Sequence, residues 1–261
     1  MARRELQDKR ALVTGASGGI GRAIALELAR AGADVVLLAR RGDRLQEVAA
    51  EIRRLGRRVE VVVGDVTRPF DRRRALDAAR DQLGGLDILV NNAGISAHGR
   101  FAEADPGRLR PIMETNFIAP AELIREALPL LRVGHEPIVV NIGSVLGQRA
   151  CPHKSEYCAS KFALRGFSEA LRAEFAPLGV DVLVVTTGPT DTEFFEHLLE
   201  QHGELPWRDA SPVSPERVAR ATVRAIRRGR HEIVPGWRGW LLVAANRFFP
   251  RLVDRIMARY G

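Results

Sequence analysis

At 261 residues with 46% hydrophobic content, the chain suits one domain with a large core. Two cysteines without clustered histidines give neither a disulfide framework nor a metal site. The formal net charge of +8 would suggest nucleic acid, but residues 1–215 balance 29 Lys+Arg against 29 Asp+Glu, while residues 216–261 set 11 Arg against Glu216, Glu232 and Asp254 and contain no nucleic-acid-binding motif.

In chain order, residues 1–8 lack an apolar signal region, so a cytoplasmic location is expected. Arg10 to Thr14 reads as a short buried strand, followed at once by Gly15-Ala16-Ser17-Gly18-Gly19-Ile20-Gly21 and an Ala/Leu-rich helix from Arg22 to Ala31, with Gly32 as its stop. Strand, glycine turn and helix form the setting in which backbone amides cradle a pyrophosphate. The spacing is G-x-x-x-G-x-G, which differs from the general G-x-G-x-x-G fingerprint. A second strand, 34–39, ends in Ala39-Arg40-Arg41, where an NAD site would place a carboxylate for the ribose 2′-hydroxyl. Arg40 can instead grip a 2′-phosphate, so NADP(H) is the expected cofactor. Further apolar runs fall at 59–63, 86–90, 137–142, 180–186 and 231–234. Their β-branched, non-alternating character predicts a parallel sheet covered on both faces. Alternation with helical stretches makes the fold α/β, a doubly wound parallel sheet of about seven strands.

Ser144, Tyr157 and Lys161 carry the clearest chemistry. Tyr157 and Lys161 are four apart, so on a helix they share a face. An ammonium about 4 Å from a tyrosine is worth roughly 1–4 kcal/mol, or about one to three pKa units toward tyrosinate. Such a tyrosine exchanges a proton with an alcohol or carbonyl oxygen near neutral pH, and Ser144 can hold the same oxygen. Lys161 is one of only three lysines, with Lys9 and Lys154, among 40 basic residues. Arginine would not replace it well, because its charge is fixed and its fork has a different geometry.

Taken in order, Thr14-Gly15…Gly19-Ile20-Gly21, Asp65-Val66, Asn91-Asn92-Ala93-Gly94, Asn116, Ser144 and Tyr157…Lys161 resemble the short-chain dehydrogenase/reductase family over about Lys9 to Pro235. The resemblance implies one Rossmann-type nucleotide-binding and catalytic domain, 1–235, with a C-terminal extension, 236–261. Gly15, Ser17, Gly19, Ile20 and Gly21 would hold the cofactor phosphates. Asp65 and Val66 would contact the adenine, and Asn92 would line the cleft. Lys161 would hold the nicotinamide ribose beside Tyr157, and Asn116 would kink its helix and fix a relay water. Thr190 and Thr192 would bond the carboxamide and the pyrophosphate. The implied activity is an NADP(H)-dependent interconversion of a carbonyl and an alcohol, and the implied assembly is a homo-oligomer, dimer or tetramer. A non-catalytic NADP(H)-binding sensor or scaffold on the same fold is the alternative.

One motif departs from the family pattern. Gly188 and Thr192 match it, but Thr187 stands where the proline of a Pro-Gly pair is usual, which predicts a less restricted loop. That loop, Thr190 to Trp207, is expected to line the substrate site with Phe194, Phe195, Leu198 and Leu199, facing Ile95, Phe101, Val145 and Leu146. An apolar or acyl-bearing carbonyl compound follows as the expected substrate. Cys158 is read as packing, and His98 and His153 as solvated loop histidines near the mouth. In the extension, Trp237, Trp240 and the stripe Leu252, Val253, Ile256, Met257 and Tyr260 are interleaved with arginines. The run is too short to span a bilayer, which leaves a lid, an interface or a peripheral membrane contact.

Overall fold

The computed structural model describes residues 4–195, 198–202 and 212–260. Seven parallel strands form one sheet in the order β3-β2-β1-β4-β5-β6-β7. They are β1 (Arg10–Thr14), β2 (Asp34–Ala39), β3 (Val59–Val63), β4 (Ile88–Asn91), β5 (Ile138–Ser144), β6 (Asp181–Thr187) and β7 (Glu232–Ile233). The helices between them are α1 (Gly19–Arg30), α2 (Gly42–Arg54), α3 (Pro69–Leu83), α4 (Leu109–Met113), α5 (Ala119–Arg132), α6 (Ser155–Phe175) and α7 (Pro215–Arg227); α8 (Trp237–Phe248) and α9 (Pro250–Met257) follow the sheet.

Alternate residues of each central strand feed different cores, as the period of two requires. Ala11, Val13, Val35 and Leu37 pack with Ile24 and Leu28 of α1, Leu45 and Ile52 of α2 and Ile226 of α7. Leu12, Val36 and Leu38 pack on the other face with Leu76 of α3, Leu123 and Leu131 of α5 and Leu171 of α6. Both faces are apolar because both are covered, which explains the unbroken apolar runs of the sequence.

The first three strands begin and end where the sequence places them. β5 and β6 each run further than their apolar runs, because Ser144 and Thr187 continue the pairing as partners. The order reverses between β1 and β4, and at such a switch point the loops leaving the carboxyl ends of the strands splay apart and open a crevice.

Candidate active site

The crevice is a cleft of about 670 Å³ above the carboxyl ends of the strands. Gly15, Ser17, Gly19 and Ile20 form its floor at the start of α1. Gly15 has φ +64° and Gly19 φ +52°, a region that side chains disfavour. A Cβ on Gly15 would lie 2.7 Å from the Asn92 amide nitrogen. Asn92 Nδ2 in turn donates to the Thr14 carbonyl at 2.9 Å, fixing the turn. No side chain caps Gly18 at the start of α1, so the first amides of that helix are left to an acceptor in the cleft. Hydrogen-bond donors without side-chain partners, at the positive end of a helix and bare of Cβ atoms, fit a pyrophosphate. Gly21 lies behind this wall, where a Cβ would collide with the Gly15 carbonyl, so its service is to helix packing and not to lining.

Along one flank run Arg40 and Arg41 from the end of β2, with Asp65 and Val66 after β3. Arg40 is exposed. Arg41 Nη1 donates to Glu193 at 2.7 Å, and its Nε donates to Ser17 Oγ at 3.3 Å. The sequence alone gave Arg41 no separate role, because its partner Glu193 is 152 residues away. Asp65 accepts from the Thr67 amide at 3.0 Å and hydroxyl at 2.9 Å, which shapes the adjacent turn.

Ser144 ends β5, and Tyr157 and Lys161 stand one turn apart on α6, so the three meet in the same cleft. Ser144 Oγ accepts from the Leu146 amide at 3.1 Å. Lys161 is buried, lies 5.8 Å from the Tyr157 ring centroid and donates to the Ile142 carbonyl at 2.9 Å. Asn116 sits within a single π-helical turn, Glu114–Ile118, between α4 and α5, a local widening of the kind often found at functional sites. Its side chain bonds the Ile95 amide and carbonyl and Ser160 Oγ, each at 2.9 Å. It lies behind the cleft wall and not on it.

The electrostatics differ from the simple spacing argument. Burial pushes the Tyr157 hydroxyl up, and the hydrogen bond with Ser144 opposes that only in part. The expected fall toward tyrosinate is therefore absent from the protein by itself. Lys161 spends its ammonium on a backbone carbonyl and is itself brought down to about 8 by burial. Lys154, also buried, stands 5.9 Å from the Tyr157 ring and lines the cleft beside Cys151, a neighbourhood no motif signalled.

On the substrate side, Ile95, Val145, Leu146 and Phe194 line the cleft, and the Phe194 ring is 6.0 Å from that of Tyr157. Thr190 and Thr192 line it too, and a Cβ on Gly19 would lie 3.1 Å from Thr192. Three expected lining residues do not belong there. Phe101 is 71% and Leu199 49% exposed, so both turn toward solvent, and Leu198 is half-buried outside the cleft wall. The Phe195 side chain and Trp207 lie outside the described residues. His98 is buried, not solvated, and stacks on His153 at 5.5 Å. Thr187 makes use of its hydroxyl, which donates to the Gly143 carbonyl at 3.0 Å. Beyond it, the Asp191 amide and the Pro189 carbonyl bond the backbone of Val213. Leu242 of α8 and Met257 of α9 complete the wall.

A bare glycine cradle at the switch point of a doubly wound sheet is the feature of dinucleotide-linked oxidoreductases, and that is the class that fold and cleft define. A family model described as short chain dehydrogenase matches residues 9–203. The chain belongs to the short-chain dehydrogenase family. It is 36% identical over 260 residues to hydroxysteroid 11-beta-dehydrogenase 1-like protein A of Xenopus laevis, covering 98% of this chain and 87% of that one. A short-chain dehydrogenase from Burkholderia cenocepacia, solved in complex with NADP, has 33% identity and a TM-score of 0.79, covering 88% of this chain and 97% of the other. A 3-ketoacyl-(acyl-carrier-protein) reductase from Brucella melitensis, solved with NADH, has 26% identity and a TM-score of 0.79, covering 88% and 98%.

Proposed function

We propose that this protein is an NADP(H)-dependent oxidoreductase that interconverts a carbonyl and an alcohol on an apolar or acyl-bearing substrate. The observation that carries the reading is the meeting of Ser144, Tyr157 and Lys161 in the cleft that also holds the glycine cradle. Bound in that cradle, the nicotinamide cofactor supplies or accepts the hydride. The chain's own residues do the rest. Tyr157 gives its phenolic proton to the carbonyl oxygen during reduction, and Ser144 donates a hydrogen bond that orients that oxygen. Lys161 places a positive charge behind the tyrosine, and Asn116, held by three hydrogen bonds, sets the backbone of Ile95 beside the reacting centre.

The preference for NADP(H) rests on Arg40 and Arg41 at the end of β2, where no carboxylate stands. An apolar substrate is supported by the walls, which include Val145, Leu146, Phe194 and Leu242. The test is Tyr157→Phe. Loss of a positioned general acid typically costs about 10²–10⁴-fold in rate, and the expected result is a fall of that size with NADPH affinity, read by fluorescence titration, unchanged. Near-normal turnover of every carbonyl in a panel of steroids, long-chain aldehydes and oxoacyl thioesters would overturn the assignment of Tyr157. Cofactor binding without any turnover by the unaltered protein would favour a sensor.

A further inference from the structure

The last two helices present two unlike sides. Inward, Gly239 is buried, with a Cβ there lying 3.2 Å from Val145, and Asn246 Nδ2 donates to the Gln148 carbonyl at 3.1 Å. Leu242 and Met257 on the same side line the cleft, and Val253 is buried. Outward, Trp237, Trp240, Leu241 and Phe248 recur at helical spacing within an arc of about 100° on α8. They are 67%, 61%, 52% and 71% exposed. Phe249 at the corner and Leu252 and Ile256 on α9 are exposed as well, so 237–256 holds seven of the sixteen exposed large hydrophobic side chains among the described residues. Scattered exposed hydrophobics need no explanation, but a concentration of this kind marks an interaction surface.

The charges choose the partner. Arg238, Arg247, Arg251, Arg255 and Arg259 are all exposed around this surface. The one acid of the segment, Asp254, is engaged by Arg149 at 2.6 Å. A second copy meeting it across a two-fold axis would set the arginine belt against itself. An anionic surface would complement it. α8 has 12 residues and α9 has 8, roughly 18 and 12 Å of helix against a hydrocarbon core of about 30 Å. Among the described residues no helix is long and apolar enough to cross a membrane. A helix pair with tryptophan and phenylalanine on one side and arginine at its margins lies in the interface plane.

We propose that α8 and α9 form an interfacial anchor for an anionic lipid bilayer, which seats the substrate side of the cleft beside the membrane. The aromatic side enters the headgroup region, the arginines pair with lipid phosphates, and the opposite side of the same helices walls the cleft. Anchoring does not depend on the proposed reaction, so the two can fail separately.

The experiment is flotation of the full-length protein with vesicles of phosphatidylcholine alone and of phosphatidylcholine mixed with phosphatidylglycerol. The expected result is binding to the mixed vesicles, weakened by added salt and accompanied by a blue shift of tryptophan emission. Trp237→Ser with Trp240→Ser, and separately Arg251→Glu with Arg255→Glu, should each reduce the partition coefficient about tenfold or more. Far-UV circular dichroism should be unchanged, and so should turnover of a water-soluble carbonyl without vesicles. Failure to float with anionic vesicles would overturn the proposal, as would equal binding to pure phosphatidylcholine. If the tryptophan variant instead converts a dimer to a monomer in sedimentation without any vesicle binding, the surface belongs to a second copy and the anchor is refuted.

Discussion

Lys161 is held between two demands, because the proposed mechanism calls for its charge and burial penalises it. Its folded pKa of about 8 lies below the ordinary 10.5 through burial, a difference of about 3 kcal/mol. Below about 8 both folded and unfolded states are protonated and the folded state carries the full penalty. Between about 8 and 10.5 the unfolded chain binds more protons, so stability should rise with pH. Lys161→Met removes the charge and strands the Ile142 carbonyl, a cost of about 1–3 kcal/mol. Whatever its sign at pH 7, the stability difference between variant and parent should move by about 2–3 kcal/mol in the parent's favour by pH 10. Urea denaturation across that range measures it, and a flat difference would show that Lys161 is not a buried charge. Tyr157 is pushed the other way, upward, chiefly by burial. It is therefore a phenol at neutral pH, ready to donate, and reduction should be favoured there. In the proposed mechanism oxidation needs the tyrosinate, so its kcat/KM should climb about tenfold per pH unit on the acid side of that pKa. An oxidative rate independent of pH from 6 to 9 would contradict this. At the other end of the cleft, Arg41 is shared between Glu193 and Ser17. Under the proposed NADP(H) preference, Arg41→Ala removes one charge-assisted grip on a 2′-phosphate, worth about 1.5–3 kcal/mol. NADPH affinity should fall about 10- to 100-fold while NADH affinity moves little. Equal losses for both would leave Arg41 a loop tether and nothing more.

Among the elements, what the sequence made legible is what local chemistry dictates. The strands were readable because a sheet covered on both faces needs unbroken apolar runs, as in Val35 to Leu38. The glycine turn and the Tyr157/Lys161 pair were readable because their spacing is their geometry. Contacts that only the folded chain creates were not readable. The stripe Leu252, Val253, Ile256 and Met257 looks like one apolar side, but the fold divides it, turning Val253 and Met257 inward and leaving Leu252 and Ile256 exposed. Phe101 looked like a pocket residue because nothing in its neighbours says which way its turn faces. Arg108 is the clearest omission. It is buried and donates to Glu156 at 2.7 and 3.1 Å, to Glu200 at 3.2 Å and to the Gly99 carbonyl at 3.1 Å. It thereby joins the approach to α4, the first turn of α6 and the loop after β6. One arginine among a great many gave no signal, because its partners are 48 and 92 residues away. Arg108→Ala leaves the Glu156 carboxylate buried without its main partner, which costs about 3–5 kcal/mol by the general experience of broken buried pairs. Because Tyr157 follows Glu156 directly, turnover should fall with stability. Arg108→Ala combined with Glu156→Gln should regain part of the loss, since the charge is then gone. Chemical denaturation of the two variants provides the measure, and a double variant less stable than Arg108→Ala would deny the clamp.

At the scale of the whole molecule, the sheet and its two cores are complete before the last two helices begin. Both cores draw their residues from positions 6 to 233. Only Val253 of the final helices is buried among the core-type residues. The division into a 1–235 domain and an extension, proposed from where the recognised sequence motifs stop, thus acquires a physical test. A chain ending at Pro235 should still unfold cooperatively, at a lower Tm than the parent, since it loses the burial of Val253, roughly 1.5–3 kcal/mol, the half-buried Leu242 and Met257, and the contacts of Asn246 with Gln148 and of Asp254 with Arg149. Its glycine cradle, Arg40, Arg41 and Asp65 are untouched, so NADPH should bind as before. The wall formed by Leu242 and Met257 would be gone. A large apolar carbonyl substrate should then show a KM raised about tenfold or more through two lost side-chain contacts, while a small polar carbonyl should show little change. The division is wrong if the shortened chain fails to fold while the full chain is stable. The lid role is wrong if KM for apolar and polar substrates shifts alike. A doubly wound sheet fixes the reacting atoms at its switch point and leaves the choice of substrate to whatever covers the crevice. In this chain the cover carries nearly half of the exposed large hydrophobics among the described residues and five of the arginines behind the +8 charge, so what the enzyme acts on and where it does so should change together when the cover is removed.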